Sequence, residues 1–176
     1  MTTRETHLVE LVDPSGVAVG STTVSDAHSA PGQLHRAFSV LLLDDAGRVL
    51  LQRRAAVKTR FALRWANTCC GHPLPGQPAA EAASKRLIEE LGVSPVPLTQ
   101  LGVYTYHAAD PSSGLVEREY DHVLVGRFLA AGSVDPDPAE VADVEWASPS
   151  SVLAGIAADP SRYAPWLLGV LKVSGL

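Results

Sequence analysis

Apolar and polar positions alternate in short runs over much of the chain and switch to helical spacing in three places. His7 to Val12 alternates, Asp13 to Gly16 supplies a turn, and Val17 to Val19 is a second short run, so the opening predicts a hairpin. Ser21 to Gln33 is polar and contains glycine, which predicts a loop that carries His28. Arg36 to Leu43 is almost continuously apolar after its first residue and predicts a buried strand. Asp44 to Gly47 turns it, and Arg48 to Arg53 returns. His35 stands at the head of that strand.

Farther on, Pro75 to Pro78 predicts a loop and Ala79 to Leu91 an alanine-rich helix, ended by Gly92 at the usual capping position. Its apolar stripe is Ala83, Leu87 and Leu91, with Glu90 on an adjoining face four residues after Arg86. Val103 to Ala108 and Leu115 to Phe128 flank a turn at Asp110 to Gly114, a second hairpin. On its second strand Glu117, Glu119 and Asp121 share a face, where three carboxylates would repel without a cation. Gly132 to Pro138 predicts a surface loop and Val144 to Ala147 a short strand. Ser148 and Pro149 cap the helix Ser150 to Ala158, and Pro165 to Val173 forms the last helix. The pattern predicts one compact α+β domain, a mixed antiparallel sheet with helices packed on it.

Length and a 46% hydrophobic content fit a single domain with a sizeable core. The net charge is -5 and the cations are scattered, which excludes a nucleic-acid footprint. The longest apolar run, Val40 to Leu43, is far below the ~20 residues of a membrane helix. With no leader pattern in MTTRETHLVE, the expected location is cytoplasmic. The expected assembly is a monomer or weak dimer. Cys69 and Cys70 are adjacent, so they provide no disulfide framework and leave at least one thiol free.

The stretch Thr68 to Pro73 (TCCGHP) concentrates the chemistry. On an extended strand Cys70 and His72 leave on one face, a thiol beside an imidazole. With His28 and His35 upstream and Glu117 and Glu119 downstream, three imidazoles and two carboxylates make a candidate metal site. Arg53, Arg54, Lys58, Arg60 and Arg64 form the one basic cluster, where a phosphate is expected. His7, His107 and His122 read as surface or structural residues, Cys69 as a small buried hydrophobe, Glu89 as a solvated helix position, and Trp65 and Trp146 as core.

Gly71, Lys85, Arg86, Leu87, Glu89, Glu90, Gly92 and Val93 stand at the spacing of the Nudix box. The box is degraded: Gln77 occupies the place of its first glutamate and Lys85-Arg86 that of Arg-Glu. Segments HSAPGQLHRAFS, NTCCGHP, ELGV, GLVEREY and APWLL, in this order over nearly the whole chain, resemble the type I isopentenyl-diphosphate isomerase family.

The resemblance implies a Nudix-like sheet between helices, with an N-terminal hairpin and ligand-bearing loop over residues 1–35, a Nudix core over 36–147 and C-terminal helices over 148–176. It implies that His28, His35, His72, Glu117 and Glu119 hold one divalent ion, manganese, magnesium or zinc. Glu90 then helps hold a magnesium ion carried by the substrate diphosphate. Cys70 and Glu119 become the catalytic pair, Arg54 and Lys58 lie near the diphosphate, and Tyr106 and Trp166 line the hydrocarbon pocket. Val24 stands where some members have a lysine.

The residue types suit that reaction. Moving a carbon–carbon double bond needs a proton delivered at one end and another removed at the other, from two groups facing across the substrate. The intervening carbocation needs a dry, electron-rich wall such as an indole face. Two other classes compete. A Nudix hydrolase needs the box glutamates, against which Gln77 and Arg86 argue, and a metal-binding module predicts stoichiometric metal without turnover. Thiol redox chemistry is weaker still, because Cys69-Cys70 is not a Cys-x-x-Cys pair.

Overall fold

The computed structural model describes residues 3–128 and 132–176. One mixed sheet runs through it, centred on β3 (His35–Leu43). Antiparallel partners of β3 are β1 (Leu8–Val12), β4 (Val49–Arg54) and β6 (Cys69–Gly71). Its parallel partner is β8 (Val116–Arg127), which pairs in turn with β7 (Leu98–Ala109) as a long antiparallel hairpin. Outside these lie β2 (Ala18–Thr23) on β1, and β5 (Trp65–Ala66) and β9 (Val141–Ala147) on β4.

Alternation along the central strands assigns their side chains to two layers. Phe38, Val40, Leu42 and Leu124 pack on one face with Ala83, Leu87 and Leu91 of α2 (Ala79–Leu91). Leu41, Val49, Leu51 and Val123 pack on the other, against Val152 of α3 (Pro149–Ala158) and Leu167, Val170 and Leu171 of α4 (Leu167–Ser174). Helix α2 ends where expected, at Gly92 in the left-handed conformation (φ 60°), whose N–H caps the last turn. At Gly169, a Cβ would lie 2.1 Å from the Tyr104 ring, so only glycine lets α4 sit this close to β7.

Several expectations need correction. The span Ser21 to Gln33 is not a loop throughout. Its first residues belong to β2, and α1 (Val24–His28) follows, with Thr23 as N-cap accepting from the Asp26 N–H at 3.1 Å. The strand expected at Val17 to Val19 is Ala18–Thr23 instead, because its pairing on β1 extends from Leu8 to Val12. Strands β7 and β9 begin earlier than their apolar runs suggested, since ladder hydrogen bonds carry the polar positions as well. Trp166 is the N-cap of α4 rather than a residue within it. Glu90, on the face adjoining the stripe, is itself among the buried residues of α2.

Candidate active site

Three elements bring the expected ligands together. The parallel register of β3 and β8 sets His35 beside Glu119, and β8 alternation puts Glu117 on the same face. Helix α1 ends on His28, and the chain leaving β6 carries His72. The five side chains each offer one ligand atom, all within 4.8 Å of one another. The imidazole centroids are 4.7, 4.9 and 5.1 Å apart.

Two of the rings are held by backbone carbonyls. His28 Nδ1 lies 2.7 Å from the Val24 oxygen and His35 Nδ1 2.7 Å from the Gln33 oxygen. A carbonyl only accepts, so both rings carry the proton on Nδ1 and turn Nε2 into the cluster. The buried His35 Nε2 has no hydrogen-bond partner among the described residues. A buried nitrogen lone pair without a donor fits a metal ligand, and the donor set of three imidazoles and two carboxylates suits a divalent cation. His28 Nε2 is 2.8 Å from Glu117 Oε2, and His72 Nε2 is 2.9 Å from Glu119 Oε1. Burial drives the His72 pKa down to about 4, against the pull of Glu119. For His28, burial acts downward but the Glu117 carboxylate outweighs it and the pKa is raised.

The carboxylates are held from behind. Tyr106 donates its hydroxyl to Glu119 Oε2 at 2.6 Å, and Arg60 donates Nε–H to Glu117 Oε1 at 3.0 Å. Burial would raise the Glu119 pKa, but the imidazoles of His35 and His72 hold it well below the usual range. Asp121, next on the same face, moves the other way. Burial and the nearby Glu119 charge push it well above the carboxylate range, and Ser39 is the donor to its Oδ2 at 2.7 Å.

Short strand β6 places the thiols on opposite layers. Cys69 is in the α2 layer, with Glu90 Oε2 3.5 Å from its sulfur, whereas Cys70 packs with the α4 layer. Burial, then Asp121, raises the Cys70 pKa to about 12, so at neutral pH the sulfur keeps its proton. A Cβ on Gly71 would meet Phe38 Cζ at 2.8 Å, so any larger residue there forces the Phe38 ring or β6 to shift.

A cleft of about 790 Å³ connects these groups. Cys70, His72, Glu117, Glu119, Tyr106 and Trp166 line one part of it, and Arg54, Lys58, Arg86, Glu90 and Glu140 another. Trp166 is buried, tilted on Tyr106 with centroids 5.9 Å apart and met edge-on by Phe61 at 5.4 Å. Arg54 lies over the indole, 5.5 Å from its centroid, while its guanidinium also donates to the Arg60 and Phe61 carbonyls. Lys58 contacts Glu140 and lies 3.7 Å from Glu90, which also takes hydrogen bonds from Arg86 and, at 3.1 Å, from Gln52 Nε2.

The expected basic cluster therefore divides. Arg54 and Lys58 face the cleft, but Arg60 is committed to Glu117 and Glu5, Arg53 donates to the Leu63 carbonyl, and Arg64 donates to the Tyr163 carbonyl. His7, expected to be a bystander, lines the cleft, and Val24 does so as a buried apolar residue. Glu89 is solvent-exposed on α2 as expected, and there it pairs with Arg86 and Arg4. Nothing in the local pattern around Glu140 singled it out. Arg60 was visible only as one cation among five, and its ion pair with Glu117 spans too much chain for any local pattern to reveal.

Residues 33–167 match the NUDIX domain. An isopentenyl-diphosphate Delta-isomerase of Nocardia farcinica is 58% identical over 166 residues, covering 94% of this chain and 93% of the relative. The chain belongs to the NUDIX family, among the isopentenyl-diphosphate Delta-isomerases. The isomerase of that name from Streptomyces coelicolor is 47% identical over 172 residues, 98% of this chain and 85% of the relative. Among solved structures, DR0079 of Deinococcus radiodurans superposes with a TM-score of 0.73 at 19% identity, over 95% of this chain and 99% of that one, which establishes likeness of fold. In this NUDIX chain α2 is the box helix, and Arg86 sits where the box has glutamate, its guanidinium on Glu90.

Proposed function

We propose that this chain converts isopentenyl diphosphate to dimethylallyl diphosphate, the 1,3-allylic shift that supplies isoprenoid precursors. The observation that carries the proposal is the joint placement of a protonated thiol, Cys70, and a held carboxylate, Glu119, in one cleft whose other part presents Arg54 and Lys58 beside Glu90 and Glu140. Cys70 and Glu119 form the acid/base pair that delivers a proton at one end of the allylic unit and removes one at the other. Tyr106 donates to Glu119 and keeps that carboxyl oriented. The Trp166 ring forms a buried wall whose π face favours positive charge on the hydrocarbon, worth ~2 kcal/mol when desolvated.

His28, His35, His72, Glu117 and Glu119 would hold one divalent ion, manganese, magnesium or zinc. When bound, that ion would draw charge from Glu119 and fix its position. Arg54 and Lys58 receive the diphosphate, and Glu90 takes part in holding the magnesium that accompanies it. Among the described residues no helix is long and apolar enough to cross a membrane. We place the enzyme in the cytoplasm as a monomer or weak dimer acting on a small soluble substrate.

The test is incubation with isopentenyl diphosphate and magnesium in heavy water, followed by proton NMR with a parallel phosphate assay. Deuterium in an allylic diphosphate with no phosphate released is the expected result. Phosphate release without allylic product would mean hydrolysis by the altered box, and no change in a metal-loaded sample would leave a metal-binding module.

A further inference from the structure

Two donors converge on one oxygen behind the cleft wall. Asn67, fully buried between β5 and β6, has its Oδ1 3.1 Å from Cys70 Sγ and 3.0 Å from Trp166 Nε1. Its Nδ2 donates to the carbonyls of Cys69 at 2.8 Å and Val40 at 3.2 Å. The indole N–H can only donate, so the atom facing it is the amide oxygen, and the sulfur facing the same oxygen must be the donor of its own contact. All four hydrogen-bonding positions of the carboxamide are thereby used. Asn67 does not line the cleft itself.

We propose that Asn67 is a positioning residue that ties the Cys70 thiol and the Trp166 indole to one carboxamide oxygen, fixing the direction of the S–H and the plane of the ring relative to each other. This rests on the roles proposed above for Cys70 and Trp166. A thiol is small and turns among staggered rotamers, and one acceptor selects among them. Trp166 sits at the start of α4, where no side chain caps the helix, so its orientation depends on packing against Phe61 and Tyr106 and on this single polar anchor. Because the amide nitrogen of Asn67 is hooked to β3 and β6, both groups inherit the position of the sheet.

The test reads the Trp166 indole proton in ¹⁵N-labelled protein, identified by its disappearance in Trp166→Phe, together with steady-state kinetics. Cys70→Ala removes the competing donor and is expected to shift this resonance downfield. Asn67→Ala is expected to shift it upfield, speed its exchange with water, and lower kcat about 10²-fold with KM little changed. If Asn67→Ala does not fold, the Cys70→Ala shift decides the matter without it. An indole resonance indifferent to the substitutions, or wild-type kcat in folded Asn67→Ala, overturns the inference. Wild-type turnover in Cys70→Ala overturns the catalytic reading beneath it, whereas an inactive Cys70→Ala beside a fully active Asn67→Ala overturns only the positioning role.

Discussion

Tyr106 and Glu119 face each other across the β7–β8 pairing, the phenol donating 2.6 Å to the carboxylate oxygen that the imidazoles leave free. The bond holds one oxygen of the proposed acid/base group while His72 contacts the other. Tyr106→Phe preserves the ring stacked on Tyr104, 5.4 Å between centroids, and removes only the donor. The expected outcome is a kcat lower by about 10²-fold with metal stoichiometry unchanged, measured by turnover assay and metal analysis.

Metal binding should depend on His35 in particular, because its Nε2 is buried with no hydrogen-bond partner among the described residues. In thermal unfolding of metal-stripped protein, adding manganese to about 100 times its Kd is expected to stabilise the fold by about 2.7 kcal/mol. His35→Ala should lose that response, and His107→Ala, whose exposed ring meets the Pro31 carbonyl away from the cluster, should keep it.

Arg86 and Glu90 form a pair one helical turn apart, with Glu90 buried. Arg86→Leu strips the main cation from that carboxylate, and a loss of about 3 kcal/mol is expected in denaturant unfolding. Lys85→Ala, at an exposed pair with Glu89, should cost below ~0.5 kcal/mol. Equal effects would mean that burial of Glu90 does not govern the pair.

Asp110 accepts from the Phe61 N–H at 2.9 Å and from the hydroxyls of Ser112 and Ser113. Burial would raise its pKa, but these donors bring it to about 2, below the ordinary 3.8. A lowered folded pKa gives stability that is present above the unfolded value and lost as pH falls through the folded one. Between pH 4 and 2 the chain should thus lose about 2 kcal/mol from this group, and Asp110→Asn should flatten that part of the acid unfolding profile.

Gly71→Ala places a methyl group 2.8 Å from Phe38 Cζ, on the strand that carries both cysteines. A cost of about 1–3 kcal/mol is expected from this overpacking, with Phe38→Leu in the same chain recovering part of it. A neutral Gly71→Ala in chemical denaturation would show that β6 has room to move.

The sequence made α2 legible because thirteen residues of helix formers end on a glycine that the structure finds in the left-handed conformation. The β7–β8 hairpin was legible from its turn and the alternating acids, although β7 proved longer than its apolar run. Helix α1 was not, because five residues are too few for periodicity to register. Its signal was the cap instead, Thr23 three residues before Asp26 with the two side chains joined at 2.8 Å. The three histidines with Glu117 and Glu119 were legible as a candidate ligand set from residue type, and as one site from the family resemblance, but the β3–β8 register that brings His35 to Glu119 was not. Arg60 illustrates what stays hidden: among neighbouring cations, nothing local says which one crosses the fold to a carboxylate.

Strand β6 has one more consequence. It is three residues long, carries adjacent thiols to opposite layers, and is hooked through its Cys69 carbonyl to Asn67. A slip of one residue would still present a sulfur to the cleft, but Cys69's, while displacing His72 from the imidazoles and setting a different residue against Phe38. What the cleft reads is therefore an address rather than an element. The same thiol one step away, on the α2 side, has no access to the substrate, and Cys69 should not rescue a chain that lacks Cys70.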